Sequence, residues 1–440
     1  MNDVNRQAEF AAVGARRVDV PILTRVEGEG ALHVGLEGGQ VTDLRLRIFE
    51  PPRFFEHFLR SRTWREVPDI VARICGICPV AYQMSACNAI EMAFGVEVPP
   101  PIRDLKRLFY CGEWIESHAL HIHLLAVPDF LGYPDAITLA KDYPEAVRRG
   151  MHLQGLGNGL LQVMGGRPVN PVGAVPGGFY RAPSRTEARD MLRKFREALP
   201  LAEQLVRWVG GLQLPDVTRE VTSVSLRADD EYPMNYGRIV SDRGLDIAVS
   251  EFGQHFREFQ VPHSTALHAL LHDEPYWVGP VPRLNNNLDR LPPSTAKLLG
   301  ETPVSWPSQN PYHSALARAI EIHVAVVEAI RLLESYGTPP KPHVDIVPRA
   351  GVGYGCTEAP RGILWHRYEL DDQGKVVHAT IVPPTSQNQA QMEADMRASI
   401  LENLHLSDGD LRLRLESGIR NYDPCISCST HFLKLTVERR

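Results

Sequence analysis

Two short stretches hold the residues best suited to chemistry: "RICGICPV" at 73–80 and "DPCISCSTH" at 423–431. Each carries two cysteines separated by two residues, a spacing that lets both sulfurs point into one coordination sphere. If the pairs meet, Cys75, Cys78, Cys425 and Cys428 offer four soft thiolate ligands to a thiophilic metal. Structural zinc and an iron–sulfur cluster are the alternatives. Against zinc, nearly the whole chain lies between the pairs, whereas zinc ribbons join theirs by a short loop. Against a cluster, neither pair has a ferredoxin spacing. The neighbours add polar chemistry: Arg73 sets a permanent cation beside the first pair, Asp423 and Pro424 precede the second, and His431 follows Cys428 by three residues, close enough for a metal or a sulfur.

The rest of the composition narrows the partners. The chain has 440 residues, 43% of them hydrophobic, enough for a large core. Its 47 basic and 53 acidic residues leave a net charge of −6 with no block of like charge, so neither nucleic acid nor an anionic membrane is an expected partner. The Arg16–Arg17 pair is followed by Asp19 and Pro21 where an export signal needs an apolar stretch. No apolar run reaches the length of a membrane span. Seven cysteines form an odd, sparse set that fits a reducing compartment better than a disulfide framework. Cys87, Cys111 and Cys356 read as buried thiols. The glycine-rich "GLGNG" at 155–159 lacks the preceding strand and following Lys-Ser/Thr of a phosphate loop, so turns and close backbone packing are its expected use.

The elements that must carry these motifs follow from periodicity. Leu32, Val34 and Leu36, then "EGGQ", then Leu44, Leu46 and Ile48 predict a hairpin within 22–50. Residues 101–340 read as mainly helical. One helix runs from Pro101 to about Leu125; a second opens at Ser184 with Glu187 as its capping-box partner and is expected to kink or break at Pro200. A third, apolar on several faces and therefore buried, runs from a Ser314 cap to Gly337. A second hairpin falls within 360–384 and a last long helix at 387–404. The order sheet, helices, sheet, helix argues for an α+β fold in one domain over 1–440.

The cysteine stretches closely resemble the two metal motifs of the large subunit of nickel–iron hydrogenases. Further segments fit in the same order: "TRVEGEG" (24–30), "PPRFFEHFL" (51–59), "SHALHIH" (117–123), "GGRPVNPVGAVPGGF" (165–179), "EAPRGILWH" (358–366) and "IVPPTSQN" (381–388). A related respiratory quinone-site subunit lacks the full cysteine set, which is complete here. The resemblance implies the hydrogenase large-subunit fold, a central bundle of long helices with small peripheral β-sheets. It also implies reversible conversion of H2 to two protons and two electrons at a nickel–iron centre whose iron carries two cyanides and one carbon monoxide. An H2-sensing regulatory hydrogenase and a zinc-stabilised scaffold without catalysis are the rival readings.

Site roles carry over from the same resemblance. Cys75 and Cys425 would bind nickel alone, and Cys78 and Cys428 would bridge nickel to iron. Cys425 would take the proton first and Glu27 pass it on. Arg361 would stand over the open metal face, while Thr385 and the Pro360–Arg361 neighbourhood would bind the cyanides. Glu56, the carbonyl of Ile381 and His431 would hold Mg²⁺ or a similar cation. Three departures stand out: Tyr82, Glu29 and Asn170 each occupy a position where relatives have histidine. "RVEGEG" and "CPVAYQ" look most like the cytoplasmic branch linked to NAD or NADP. With no further cysteine cluster in the chain, electrons would leave through an iron–sulfur small subunit and then flavin-bearing diaphorase subunits. A nickel chaperone and a maturation protease would act earlier, the protease cutting after His431 to remove the tail 432–440. His118 and His121, three apart on one helical face, would either tune protons near the metals or be satisfied core histidines.

Overall fold

The computed structural model describes residues 16–51 and 54–430. His431, proposed as a ligand of the hard cation, and the tail 432–440 lie outside them.

At the N-terminal end, Gly30–Glu37 and Gln40–Ile48 pair antiparallel, and Arg16–Val20 adds a third strand on the outer side of Gly30–Glu37. Leu32, Val34, Leu36, Leu44, Leu46 and Ile48 are all buried, so the alternation in the sequence marks the face against the core. Gly38 and Gly39, at φ +58° and +75°, make the two-residue turn whose twist matches the strands.

Long helices form the centre. Pro100–Leu120 is buried along most of its length and passes into a π-helical turn at His121–Ala126. Pro144–Gly165 packs against it, and this helix contains the "GLGNG" stretch that the sequence suggested as turns. Close packing was the correct half of that expectation: a Cβ at Gly157 would stand 2.5 Å from the Gly112 carbonyl oxygen and 2.7 Å from the Glu116 nitrogen. The helix Arg185–Gly210 opens with the Ser184–Glu187 capping box, Glu187 N donating to Ser184 Oγ at 3.2 Å and Ser184 N to Glu187 Oε2 at 2.7 Å. It continues through Pro200 instead of breaking there. Its strongly amphipathic face, with Phe195, Ala198, Ala202, Leu205 and Val209 buried, packs on Ser314–Glu334 and outweighs the hydrogen bond lost at proline. Ser314 is the first residue of that second helix, not its cap; Asn310 caps the short 3₁₀ turn leading into it, accepting from Tyr312 N at 2.9 Å.

The stretch 101–340 also carries strands that its helical reading did not anticipate. Tyr276–Trp277, Thr222–Arg227, Arg238–Ser241 and Asp246–Ile247 make a four-stranded sheet, and Phe256–Gln260 pairs with Leu267–Leu271. A three-stranded meander follows: Gly351–Ala359, Gly362–Leu370 and Val376–Val382. Its first strand lies so close to the helix Pro79–Phe94 that a Cβ at Gly353 or Gly355 would collide with the Ala89 or Ser85 carbonyl. The helix Pro384–Glu402 and then Asp408–Tyr422, capped by Ser407, bring the chain to its second cysteine pair. No helix among the described residues is long and apolar enough to cross a membrane.

Candidate metal centre

Four separate pieces of chain deliver the cysteines and their neighbours to one buried point. Cys78 stands just before the helix Pro79–Phe94 and Cys75 three residues earlier. No side chain of that segment caps the helix. Instead Glu113, from the neighbouring Pro100–Leu120 helix, accepts from Val80 N at 2.6 Å and Ala81 N at 3.0 Å, satisfying two of the orphan amides beside Cys78. Cys425 follows the helix Asp408–Tyr422 after Asp423, whose φ of +54° turns the chain inward. The one-turn helix Ile426–Ser429 then returns Cys428.

All four sulfurs lie within 4.8 Å of one another, and all four cysteines are buried. Cys75 Sγ is 3.4 Å from Cys425 Sγ, while the Cys425 and Cys428 sulfurs are in direct contact. Ile77 N and Cys78 N donate to Cys75 Sγ at 3.3 and 3.2 Å. Burial pushes the Cys75 thiol up, but its hydrogen bond with Cys78 and the Arg361 guanidinium together hold it below the usual thiol range. Cys78 moves the opposite way, raised by that same hydrogen bond and by burial. Arg73, expected to supply the cation, is exposed; the buried cation acting on both thiols is Arg361.

Arg361 sits in the tight turn between Gly351–Ala359 and Gly362–Leu370. Its Nε donates to the Asp423 carbonyl at 2.7 Å and Nη2 to the Asp423 carboxylate at 3.1 Å, while Nη1 is buried without a hydrogen-bond partner. Asp423 Oδ2 lies 3.1 Å from Arg318, which also donates to the Pro360 carbonyl at 3.3 Å and to His118 Nδ1 at 3.2 Å. Behind them Glu321 bridges His118 and Arg283, and Arg283 reaches Glu358. Burial raises the Asp423 carboxyl, but Arg361, His121 and Arg318 bring it below its ordinary value.

On the other side, Cys425 Sγ donates to Glu27 Oε2 at 3.1 Å, and the same oxygen accepts from Ser427 N at 3.1 Å. Glu27 and Cys425 also pair through the backbone, Ile426 N donating to the Glu27 carbonyl at 3.0 Å. Gly28, at φ +88°, allows this approach: a Cβ there would stand 2.7 Å from Ile426 Cβ. The Ser427 hydroxyl donates onward to Glu50 Oε2 at 2.8 Å. Thr385 Oγ1 accepts from Cys425 N at 3.0 Å, which leaves its own proton available to donate. Glu56 and Ile381 also meet, but through the Ile381 amide, which donates to Glu56 Oε1 at 2.7 Å.

The departures find definite places. The Asn170 side-chain amide, oriented by its neighbours, donates to the carbonyls of Ala72 at 2.7 Å and Cys75 at 3.1 Å, steadying the first cysteine loop. Tyr82 is buried with its ring 5.7 Å from that of His366. Glu29 is exposed, and its backbone N–H donates to Glu50. His118 and His121 are fully buried, His118 Nδ1 accepting from Arg318 at 3.2 Å and His121 Nε2 donating to the Arg420 carbonyl at 2.8 Å, while His121 Nδ1 has no hydrogen-bond partner. Burial, aided by Arg318, depresses the His121 pKa to about 4, so it stays neutral near pH 7. Cys87, Cys111 and Cys356 are buried free thiols. Sequence reasoning missed Glu113, Arg318, Glu50 and Ser427 as neighbours of the centre. Ser427 lies inside a quoted motif; the other three have only tertiary proximity to announce them.

The donor set fits a nickel–iron centre: four buried cysteine sulfurs, with Cys75 held below the usual thiol range, beside a buried guanidinium with an unpartnered N–H. Comparison with known proteins agrees. A family model described as nickel-dependent hydrogenase matches residues 53–154 and 316–431. The chain is 35% identical to sulfhydrogenase 2 subunit alpha of Pyrococcus furiosus, over 95% of this chain and 100% of that protein. It is 27% identical to the NAD-reducing hydrogenase HoxS subunit beta of Cupriavidus necator, over 95% of each. Among solved structures, an NAD+-reducing [NiFe]-hydrogenase in the H2-reduced state superposes with a TM-score of 0.85 at 28% identity, covering 94% of this chain and 99% of that one.

Proposed function

We propose that this chain, which belongs to the nickel-dependent hydrogenase large-subunit family, splits and re-forms H2 with Cys425 and Glu27 as its proton port. When bound by Cys75, Cys78, Cys425 and Cys428, nickel and iron would supply the Lewis acidity that polarises H2 and would take up the electron pair left when the proton departs. The Cys425 sulfur then takes the proton and hands it to Glu27, 3.1 Å away. That contact carries the reading, because it joins a metal-ligand sulfur directly to a half-buried carboxylate. Ser427 continues the route: its backbone N–H holds Glu27 and its hydroxyl reaches Glu50. Arg361, fixed by two hydrogen bonds to Asp423, keeps a positive field on the cysteine sulfurs and leaves its buried Nη1 unpartnered, free to donate to a ligand of the centre. Thr385 orients Cys425 by accepting from its backbone N–H and would offer its hydroxyl proton to a cyanide of the bound centre, with the Pro360–Arg361 turn serving the other. Glu56, the Ile381 carbonyl and His431, the last outside the described residues, would hold a magnesium-like cation.

The electrons leave through an iron–sulfur small subunit. Phe54, Phe55, Phe58 and Ile70 line an apolar hollow of about 560 Å³ beside Arg73, a few residues before the first cysteine pair, and suit such a partner. From there the electrons pass through flavin-bearing diaphorase subunits to NAD or NADP in the cytoplasm, a route whose NAD step the names of the NAD-reducing relatives support. Elemental analysis and infrared spectroscopy of the purified complex test the assignment. The expected result is stoichiometric nickel and iron with bands from metal-bound diatomic ligands; zinc alone, without those bands, rejects it.

A further inference from the structure

His263, His268 and Glu393 form a second cluster of ligand type, with one donor atom from each within 4.8 Å of the others. It is separate from the thiolate centre. Thr385, beside Cys425, occupies the first turn of Pro384–Glu402, and Glu393 lies eight residues further along the helix, about 12 Å away at the α-helical rise.

Three elements converge on Glu393. Its Oε1 accepts from Leu46 N of the N-terminal sheet at 2.9 Å and stands 2.8 Å from His263 Nε2, in the loop before the strand Leu267–Leu271. Its Oε2 lies 3.6 Å from His268 Nε2, on that strand. His268 is only 2% exposed, yet neither of its ring nitrogens has a hydrogen-bond partner. A buried imidazole left that way forfeits the water bonds it gave up on folding. A gap of 3.6 Å is too long for a hydrogen bond. It is close to the ligand–ligand edge of a tetrahedral zinc site with bonds of about 2.0–2.1 Å, which is roughly 3.3–3.4 Å.

We infer that His263, His268 and Glu393 bind one divalent zinc-class cation, with a fourth position open to water. Two imidazoles and a carboxylate are borderline donors suited to zinc and poor for magnesium. The cation ties the N-terminal sheet, the 263–268 segment and the Pro384–Glu402 helix together. Ala266, between the two histidines, pairs with Thr430, two residues past Cys428, so the clamp fixes the shelf on which the second cysteine segment rests.

The test uses the intact purified complex, dialysed and then exposed to zinc before excess is removed. The expected result is one tightly held zinc per large subunit, with an anomalous-scattering peak at the zinc edge between His263, His268 and Glu393. His263→Ala, at a partly exposed position, and Glu393→Gln, which keeps an acceptor for Leu46 N, should each abolish that zinc while nickel and iron content stays unchanged. Absence of bound zinc in the wild-type complex overturns the inference, as does zinc retained equally by both variants or a peak located elsewhere. Zinc raising the thermal midpoint of wild type but not of His263→Ala supports it; an equal shift in both overturns it.

Discussion

Asp423 accepts two hydrogen bonds from Arg361, one on its carbonyl at 2.7 Å and one on its carboxylate at 3.1 Å. The two residues belong to distant parts of the chain, Arg361 to the turn of the meander and Asp423 to the left-handed residue that ends Asp408–Tyr422. Their fork locks the cation to the same peptide that aims Cys425. Position and charge at the centre are therefore set by one contact.

Arg361→Lys tests that coupling. An ammonium cannot reach a carbonyl and a carboxylate with the same planar geometry, and Asp423 would be left partly unpaired beside Arg318. Nickel and iron should still be inserted, because the four cysteines are untouched, while H2 turnover should drop by about two orders of magnitude or more, the size seen when a preorganised donor is lost. Full turnover with normal metal content would reduce Arg361 to a structural role.

Gly157→Ala should destabilise the helix pair behind the site. The added methyl would press on the Gly112 carbonyl and the Glu116 backbone, neither of which is a flexible side-chain end. Overpacking of this kind costs about 1–3 kcal/mol. Because Glu116 is buried and interacts with Arg361 and Cys75, the variant should also lose nickel occupancy. Thermal melting and elemental analysis of the purified subunit check both effects; an unchanged midpoint would show that the helices can part without cost.

How far the site could be read in advance follows from the range of the forces involved. The four cysteines were legible because the two-residue spacing is local, and the Ser184–Glu187 cap for the same reason. Glu113 was not, since it caps a helix from the neighbouring helix, and nothing near Pro79 announces the missing cap. Arg73 looked like the cation by adjacency, but it faces outward, while Arg361 arrives from a remote turn. The strand Gly351–Ala359 was invisible to alternation because its glycines serve contact with the Pro79–Phe94 helix, not a side-chain pattern. "GLGNG" misled for the same reason: its helix tolerates glycine where another helix comes close.

His123 predicts an acid sensitivity of the fold. Its ring is buried against Trp208, Nδ1 donates to the Ala119 carbonyl at 2.9 Å, and burial lowers its pKa to about 4. The folded value lies below the unfolded one, near 6.5, so the unfolded chain takes up the proton first as pH falls. The stabilisation is complete above pH 6.5 and is lost progressively down to about 4, amounting to roughly 2 kcal/mol by pH 5. His123→Phe should lower stability near pH 7 through the lost hydrogen bond, yet lose less than wild type between pH 7 and 5. Melting curves at the two pH values decide it; parallel losses in both proteins would exclude His123 as a source.

Glu27→Gln separates proton movement from metal binding. The amide oxygen can still accept from Ser427 N, so the Glu27–Cys425 backbone pairing and the thiolate cluster should persist, with nickel, iron and infrared bands unchanged. The amide cannot take a proton from the Cys425 sulfur, and loss of a positioned acid–base group costs about 10²–10⁴ in rate. Turnover and H2/D⁺ exchange should fall together by that amount. Glu27→Asp should be milder, since it keeps the carboxylate but draws it back by one methylene from a contact that is 3.1 Å long in the native chain. Near wild-type exchange in the glutamine variant, with metals intact, would mean that protons leave Cys425 by another path and that the Ser427–Glu50 contact beyond Glu27 is structural only.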